Sequence, residues 1–367
     1  MEGLEDRSSK MIRDCIQFQE YIPGKSIDEV KKKYGLKRVV KLASNENPYG
    51  ASPKAIEILK NFKDLHLYPD PSYEELKQRI SEYTGWEFER IVIGAGSDGI
   101  LETLFRILIE RGDEVVIPIP TFPYYHTLTR ISCGREVLVK RGRDFRIESD
   151  ITNAITEKTK LILICNPNNP TGNDEREEII REIVESTKAI VFIDEAYIEF
   201  ADSRFDIDEE NVIIARTFSK AFGLANLRIG YARLPSWLIK YYKAASTPFP
   251  ISTIAEKVAI ASLEDINWMK SCVKKIKSER ERLYKEMSKI VKVYPSQANF
   301  LFFETGIDSS LVTEELMKRG VIVRDCKNFI GCKNNIRVSV GKPEDNDLFL
   351  ECLRDVYDSI DWNSGMW

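Results

Sequence analysis

Between Ile91 and Tyr231 the chain alternates short β-branched runs with longer segments whose apolar residues recur every three or four positions. Few architectures accept that alternation. The runs are Ile91-Val-Ile93, Glu114-Val-Val-Ile117, Glu136-Val-Leu-Val139, Leu161-Ile-Leu-Ile164, Ala189-Ile-Val-Phe-Ile193, Asn211-Val-Ile-Ile-Ala215 and Leu227-Arg-Ile-Gly-Tyr231. Several are apolar at nearly every position, as strands are in a parallel sheet covered on both faces. Helical periodicity over Ile100 to Glu110 and Glu175 to Ser186 supplies the covers. The pattern predicts an α/β/α unit with a large, mainly parallel sheet.

The texture changes near Ala261. A long charged amphipathic helix is expected over Ile266 to Ile290, then strands at Phe300 to Phe303, Val321 to Val323 and Ile336 to Val340, with helices over Leu311 to Arg319 and Asn346 to Ser359. This reads as a smaller α+β unit. The first fifty residues carry no sheet signal. The division expected is an N-terminal arm (1–36), a large unit (37–260) and a small C-terminal unit (261–367).

Lys and Arg number 54 and Asp and Glu 58, a net charge of −4, so nothing global draws the chain to nucleic acid or to an anionic membrane. An anionic ligand needs a local site. The longest uncharged stretch, Val115 to Thr129, contains three prolines and falls short of the ~18 apolar residues of a spanning helix. Met1 to Lys10 has no apolar core, which argues against a secretory leader. Seven cysteines without a Cys-x-x-Cys, and two histidines, lack the spacing of a structural zinc site. The odd cysteine count fits a reducing compartment, and a cytoplasmic location is expected.

Gly94-Ala-Gly96-Ser-Asp-Gly99 follows a strand and opens a helix, a place where free backbone N–H groups and the helix dipole cradle phosphate. A dinucleotide site also asks for an acidic residue about 20 residues on. The next strand instead ends Ile117-Pro-Ile-Pro120. Dinucleotide, plain structural turn and the phosphate of another cofactor all remain open from this motif.

Two strand ends carry sharper chemistry. One runs into Asp194-Glu-Ala-Tyr197, the next into Arg216-Thr-Phe-Ser-Lys220-Ala-Phe-Gly223. Alone, Lys220 would be a surface charge and Asp194 a helix cap. Together they suggest a lysine that forms a Schiff base and an aspartate that keeps a pyridine nitrogen protonated. Gly96, Ser97, Thr217, Ser219 and Arg228 are available for a phosphate.

Asn166-Pro-Asn-Asn-Pro-Thr-Gly172, Asp194-Glu-Ala-Tyr197, Thr217-Phe-Ser-Lys-Ala-Phe-Gly223 and Leu227-Arg-Ile-Gly230 resemble the signature blocks of fold-type I aminotransferases, which use pyridoxal 5'-phosphate (PLP). Tyr21-Ile-Pro-Gly-Lys25, Leu42-Ala-Ser-Asn-Glu-Asn-Pro-Tyr-Gly50, Tyr68-Pro-Asp-Pro71, Pro120-Thr-Phe122, Gln297-Ala-Asn-Phe300 and Ile336-Arg-Val-Ser-Val-Gly341 resemble the histidinol-phosphate aminotransferase branch. The resemblance implies that Lys220 carries the cofactor and moves the proton, and that Asp194 holds the ring nitrogen. Asn169 and Tyr197 would bond the phenolic oxygen, and Phe122 would stack on the ring. Ser97, Asp98, Thr217, Ser219 and Arg228 would surround the phosphate. Tyr68 would reach the phosphate of a second subunit, implying a homodimer. Arg337 would clamp the glutamate carboxylate, while Arg324 and Tyr21 would hold the substrate phosphate, with Asn47 lining the pocket. The substrates implied are histidinol phosphate and 2-oxoglutarate, giving imidazole acetol phosphate and glutamate in histidine biosynthesis.

Two departures bear on the substrate. Gly99 replaces a glutamate common among relatives, and Pro248-Phe-Pro-Ile-Ser252 lacks their pocket asparagine. Transamination of phenylalanine or tyrosine, decarboxylation of threonine phosphate, nicotinamide chemistry at the Gly94 loop, and a non-enzymatic PLP-binding regulator are the competing readings. His66 reads as an ordinary loop residue.

Overall fold

The computed structural model describes residues 12–16 and 25–359. The helix α1 (Ile27–Tyr34) and the two-residue strand β1 (Val40–Lys41) are followed by α2 (Pro53–Asn61) and α3 (Glu74–Thr84). The large sheet is then laid down through β2 (Ile91–Gly94), α4 (Gly96–Leu108), β3 (Glu114–Ile119), α5 (Tyr124–Ile131), β4 (Arg135–Lys140), β5 (Thr159–Cys165) and α6 (Glu177–Glu185). It is completed by β6 (Ile190–Asp194), β7 (Val212–Thr217) and β8 (Gly230–Arg233).

The strand order is β2-β8-β7-β6-β5-β3-β4. β8 runs antiparallel to both neighbours, and the other pairings are parallel. The continuous apolar runs are explained by a core on each face. Ile162, Ile164, Val191, Ile193 and Ile214 point to one core, and Leu161, Leu163, Ile190, Phe192 and Ile213 to the other. The seven expected strands are these seven, with one shift. Ala225–Leu227 is a 3-10 turn, Arg228 has φ 51°, and the last strand starts only at Gly230.

The helices α7 (Ile239–Ala245), α8 (Thr253–Glu264) and α9 (Ile266–Met287) lead to the second layer. It contains β9 (Lys292–Tyr294), β10 (Phe300–Glu304), α10 (Ser309–Lys318), β11 (Val321–Ile322), β12 (Arg324–Asp325), β13 (Asn335–Ser339) and α11 (Pro343–Ser359). Strands β12-β13-β10-β9 form an antiparallel sheet. β1 pairs with β11 in parallel, so the first fifty residues do contribute a strand, one too short to show a period. Val30, Val40, Leu42 and Ala43 pack with Val321, Ile322 and Val323. The C-terminal layer thus recruits residues that the sequence division gave to the arm and the large unit. Cys15 and Cys133, 118 residues apart, form a disulfide, a pairing that the cysteine count did not anticipate. No described helix is long and apolar enough to cross a membrane.

Candidate active site

Parallel neighbours β6 and β7 end side by side, with Asp194 opposite Ala215. Their carboxyl ends open on one cavity, the usual ligand position in an open α/β sheet. The cavity has a volume of about 180 Å³ and brings together Ser97, Asp98, Phe122, Asn169, Asp194, Tyr197, Thr217, Ser219, Lys220, Arg228, Arg324 and Arg337. These predicted residues come from stretches of chain far apart in sequence.

Asp194 is buried, and both hydrogen bonds to its carboxylate among the described residues come from neutral donors, the Tyr125 hydroxyl at 2.8 Å and the Ala196 amide at 3.1 Å. Desolvation pushes its carboxyl up to about 6, against the pull of the Tyr125 bond. The Lys220 ammonium donates to the Ser44 carbonyl at 3.0 Å. Desolvation and the neighbouring Arg337 cation bring its pKa down to about 8. The turn that carries it is tied by Gly223 N–H to the Lys220 carbonyl and by the Asn47 side chain to the Ala221 carbonyl at 2.8 Å.

At the start of α4, Gly96 takes φ 75°, and a Cβ there would lie 2.8 Å from Arg228 Nη2. A Cβ on Gly230 would meet the Gly96 carbonyl carbon at 2.3 Å. Two glycines therefore let β8 and Arg228 press against a helix N-terminus whose first amides lack intrahelical partners. Arg228 bonds Ser219 Oγ at 3.3 Å and Asp98 at 3.0 Å, so Asp98 orders the guanidinium. Thr217 and Ser219 bond each other at 2.9 Å. The result is a cationic, hydroxyl-lined cradle.

Arg324 and Arg337 are directly opposed on β12 and β13. Arg337 is buried and donates to Asn169 Oδ1 and to the Ala43 carbonyl (2.7 Å), while its Nε has no hydrogen-bond partner among the described residues. Because the Asn169 carbonyl oxygen is taken, its NH2 remains to donate elsewhere. Tyr197 receives a hydrogen bond from Asn45 Nδ2 at 3.1 Å, and burial raises its phenol.

Two predicted residues lie elsewhere. Asn47 spends its amide on Ala221 O and Tyr49 N, so it supports the lysine turn and does not line the cavity. Tyr68 is exposed and stacks on Phe249 with ring centroids 4.6 Å apart. Tyr21 falls outside the described residues. Asn45, Tyr125 and Arg141 were missed. Tyr125, in the first turn of α5, sits three residues after Phe122, and their rings meet edge-on at 5.6 Å. That spacing was the available signal. Arg141, ion-paired with Glu175, bonds both Pro120 O and Asn168 Oδ1, joining the loops that carry Phe122 and Asn169.

These residues fit PLP. A buried carboxylate without a cation among its hydrogen-bond donors suits a protonated ring nitrogen, and the α4 cradle suits the phosphate. Lys220 offers the amine. No group of three or more His, Cys, Asp or Glu among the described residues is placed to hold a metal ion.

Residues 37–353 match the family model described as aminotransferase class I and II. The chain is 66% identical over 318 residues to histidinol-phosphate aminotransferase 1 of Archaeoglobus fulgidus, covering 87% of this chain and 99% of that protein. It is 43% identical over 352 residues to the histidinol-phosphate aminotransferase of Methanosarcina mazei, covering 93% and 95%. Among solved structures, it resembles histidinol-phosphate aminotransferase from Sinorhizobium meliloti in complex with PLP (TM-score 0.85, 28% identity, 94% and 98% of the two chains). With a matching family model over most of its length, the expected cavity at the strand ends and relatives this similar, the chain belongs to the class I and II aminotransferases, on their histidinol-phosphate aminotransferase branch.

Proposed function

We propose that this protein is a PLP-dependent enzyme that moves the amino group of histidinol phosphate to 2-oxoglutarate, giving imidazole acetol phosphate and glutamate. The observation that carries the substrate reading is the pair Arg324 and Arg337, side by side on one wall of the cavity that holds Lys220. Each substrate brings an anion, phosphate in one case and carboxylates in the other, and guanidinium forks fit both.

Bound PLP supplies an electron-withdrawing ring that stabilises negative charge on the amine-bearing carbon of the substrate. The protein's own groups do the rest. Asp194 accepts a charge-assisted bond from the ring nitrogen and keeps it protonated. Asn169 and Tyr197 donate to the ring oxygen, and Phe122 packs on the ring face. Gly96, Ser97, Thr217, Ser219 and Arg228 take the cofactor phosphate at the α4 N-terminus. Lys220 holds the cofactor and then shuttles a proton, a role suited to an amine titrating near 8. Arg337 takes the carboxylate and Arg324 the distal phosphate, with Tyr21 beside it. Tyr68, exposed on a loop, serves the cavity of a second copy in a cytoplasmic homodimer. The division into arm, large unit and small unit belongs to the same reading.

Arg324→Ala should weaken use of histidinol phosphate by about 1.5–3 kcal/mol, the scale of a hydrogen bond to a charged group, and leave glutamate nearly unaffected. Half-reaction kinetics with each amine check this. Equal losses on both, or phenylalanine outcompeting histidinol phosphate in the unmodified enzyme, would remove the phosphate-ester assignment and leave an aminotransferase of other specificity.

Covalent uptake of PLP by the cofactor-free protein requires the neutral Lys220 amine. Its rate should fall about tenfold per pH unit below 8 and level off above it, whereas an ordinary lysine, near 10.4, would keep accelerating to about pH 10. Timed borohydride quenching and peptide mapping measure both the rate and the residue.

A further inference from the structure

Three successive residues after β1 reach three different working groups of the cavity. The Ala43 carbonyl accepts from Arg337, the Ser44 carbonyl from Lys220, and the Asn45 side chain bonds Tyr197. The first two are backbone contacts. The third depends on residue type, and its polarity can be worked out.

A side-chain amide can be flipped without changing its outline, so the direction of the Asn45–Tyr197 bond must come from the surrounding donors. The chain of donors starts at a group that can only donate, the Asn45 backbone N–H, which gives its proton to Ser339 Oγ at 2.8 Å. The single Ser339 hydroxyl proton then goes to Asn45 Oδ1 at 3.0 Å. With Oδ1 committed as acceptor, Nδ2 faces the Tyr197 hydroxyl and donates to it. A phenolic oxygen that receives a hydrogen bond from one side keeps its own proton for another direction. Asn45 is almost fully buried at 1% exposure and has φ 56°, held by Asn299 donating to its carbonyl at 2.9 Å. Asn169 is polarised in the same sense by Arg337.

We propose that Asn45, oriented by Ser339, is a positioning residue that commits the Tyr197 hydroxyl to donate into the cavity, toward the ring oxygen of bound PLP. Asn45 acts only through Tyr197. Ser339 lies two residues beyond Arg337 on β13, so both project from the same face of that strand. The donor chain therefore ties the hydroxyl's direction to the strand that carries the carboxylate-binding arginine. This inference rests on the PLP reading.

A hydrogen bond donated to the ring oxygen favours its anionic form and so lowers the pH of the acid–base transition in the cofactor's visible absorbance. Asn45→Asp replaces the donor by an acceptor, which draws the Tyr197 proton away from the cavity. The charged or titratable groups that also face Tyr197 are Arg337 on β13, Lys220 after β7, Cys165 at the end of β5 and Asp194 at the end of β6. All are retained in the variants.

The test is an absorbance pH titration of holoenzyme for the parent, Asn45→Asp, Ser339→Ala and Tyr197→Phe, and for each of the first two changes combined with Tyr197→Phe. Asn45→Asp should raise the transition by about 1–2 pH units, matching Tyr197→Phe, and Ser339→Ala should raise it by less. Neither change should shift it further once Tyr197 is replaced by phenylalanine, which is the non-additivity expected of residues acting through one group. A shift of the same size in the Tyr197→Phe background, or none in either background, overturns the proposal. Ser339→Ala alone decides the question if the Asn45→Asp variant does not fold. A parent protein that takes up no PLP would overturn the cofactor reading itself, so the two failures are distinguishable.

Discussion

Lys220→Ala is expected to cut transamination at least ~10⁴-fold, the combined loss of a covalent anchor and a positioned proton carrier, while the protein still folds and takes up PLP. The fold survives because, among the described residues, the Lys220 side chain makes a single hydrogen bond, to the Ser44 carbonyl. The turn is held instead by backbone bonds and by Asn47. The cofactor still binds because the α4 cradle and Asp194 are untouched. Dialysis-resistant absorbance together with loss of turnover in both half-reactions is the expected pair of observations. A variant that keeps a few per cent of activity would mean that another base moves the proton.

Asp194→Asn should separate stability from activity. The folded carboxyl titrates near 6, above the ~3.9 of an unfolded aspartate. Between those values the folded chain binds more protons than the unfolded one, so this group costs stability progressively as pH rises through the window, and fully above it. A shift of this size corresponds to about 3 kcal/mol. The cofactor-free Asn variant should therefore melt above its parent at about pH 7 and converge with it below about pH 4. Turnover should fall ~10²–10⁴-fold, since a neutral amide no longer keeps the ring nitrogen protonated. Calorimetry on cofactor-free protein across that pH range reads the first effect, and steady-state kinetics the second. A parent and variant with equal melting temperatures at neutral pH would mean that the carboxylate is already compensated.

The large sheet was readable because strands buried on both faces are apolar at every position, as Leu161 to Ile164 and Val191 to Ile193 are. The second layer was read only in part. β1 and β12 are two residues long and β9 three, and pairing between positions as remote in the chain as Val40 and Val321 leaves no local periodicity. In the site, the residues found by sequence are those whose side-chain chemistry sits inside a dense motif, Lys220 and Asp194 above all. Asn45 and Asn47 stand in the same block, and residue type could not tell which one faces the cavity. The difference lies in partners brought from elsewhere in the fold, Ala221 for one and Ser339 and Tyr197 for the other. The Ala43 and Ser44 carbonyls carry no residue signature at all. The Cys15–Cys133 pairing had none either.

The segment that supplies those carbonyls is anchored to the C-terminal layer on both sides. Leu42 N–H bonds the Ile322 carbonyl at 2.7 Å, and the Leu42 carbonyl accepts from Ser339 N–H at 2.8 Å. A tilt of the C-terminal layer would therefore pull on residues 42–45 as a taut cord pulls on its knots, moving the acceptors of Arg337 and Lys220 and the donor of Tyr197 together. Deleting one residue from this stretch would remove no reactive side chain, yet it would put three of them out of step at once.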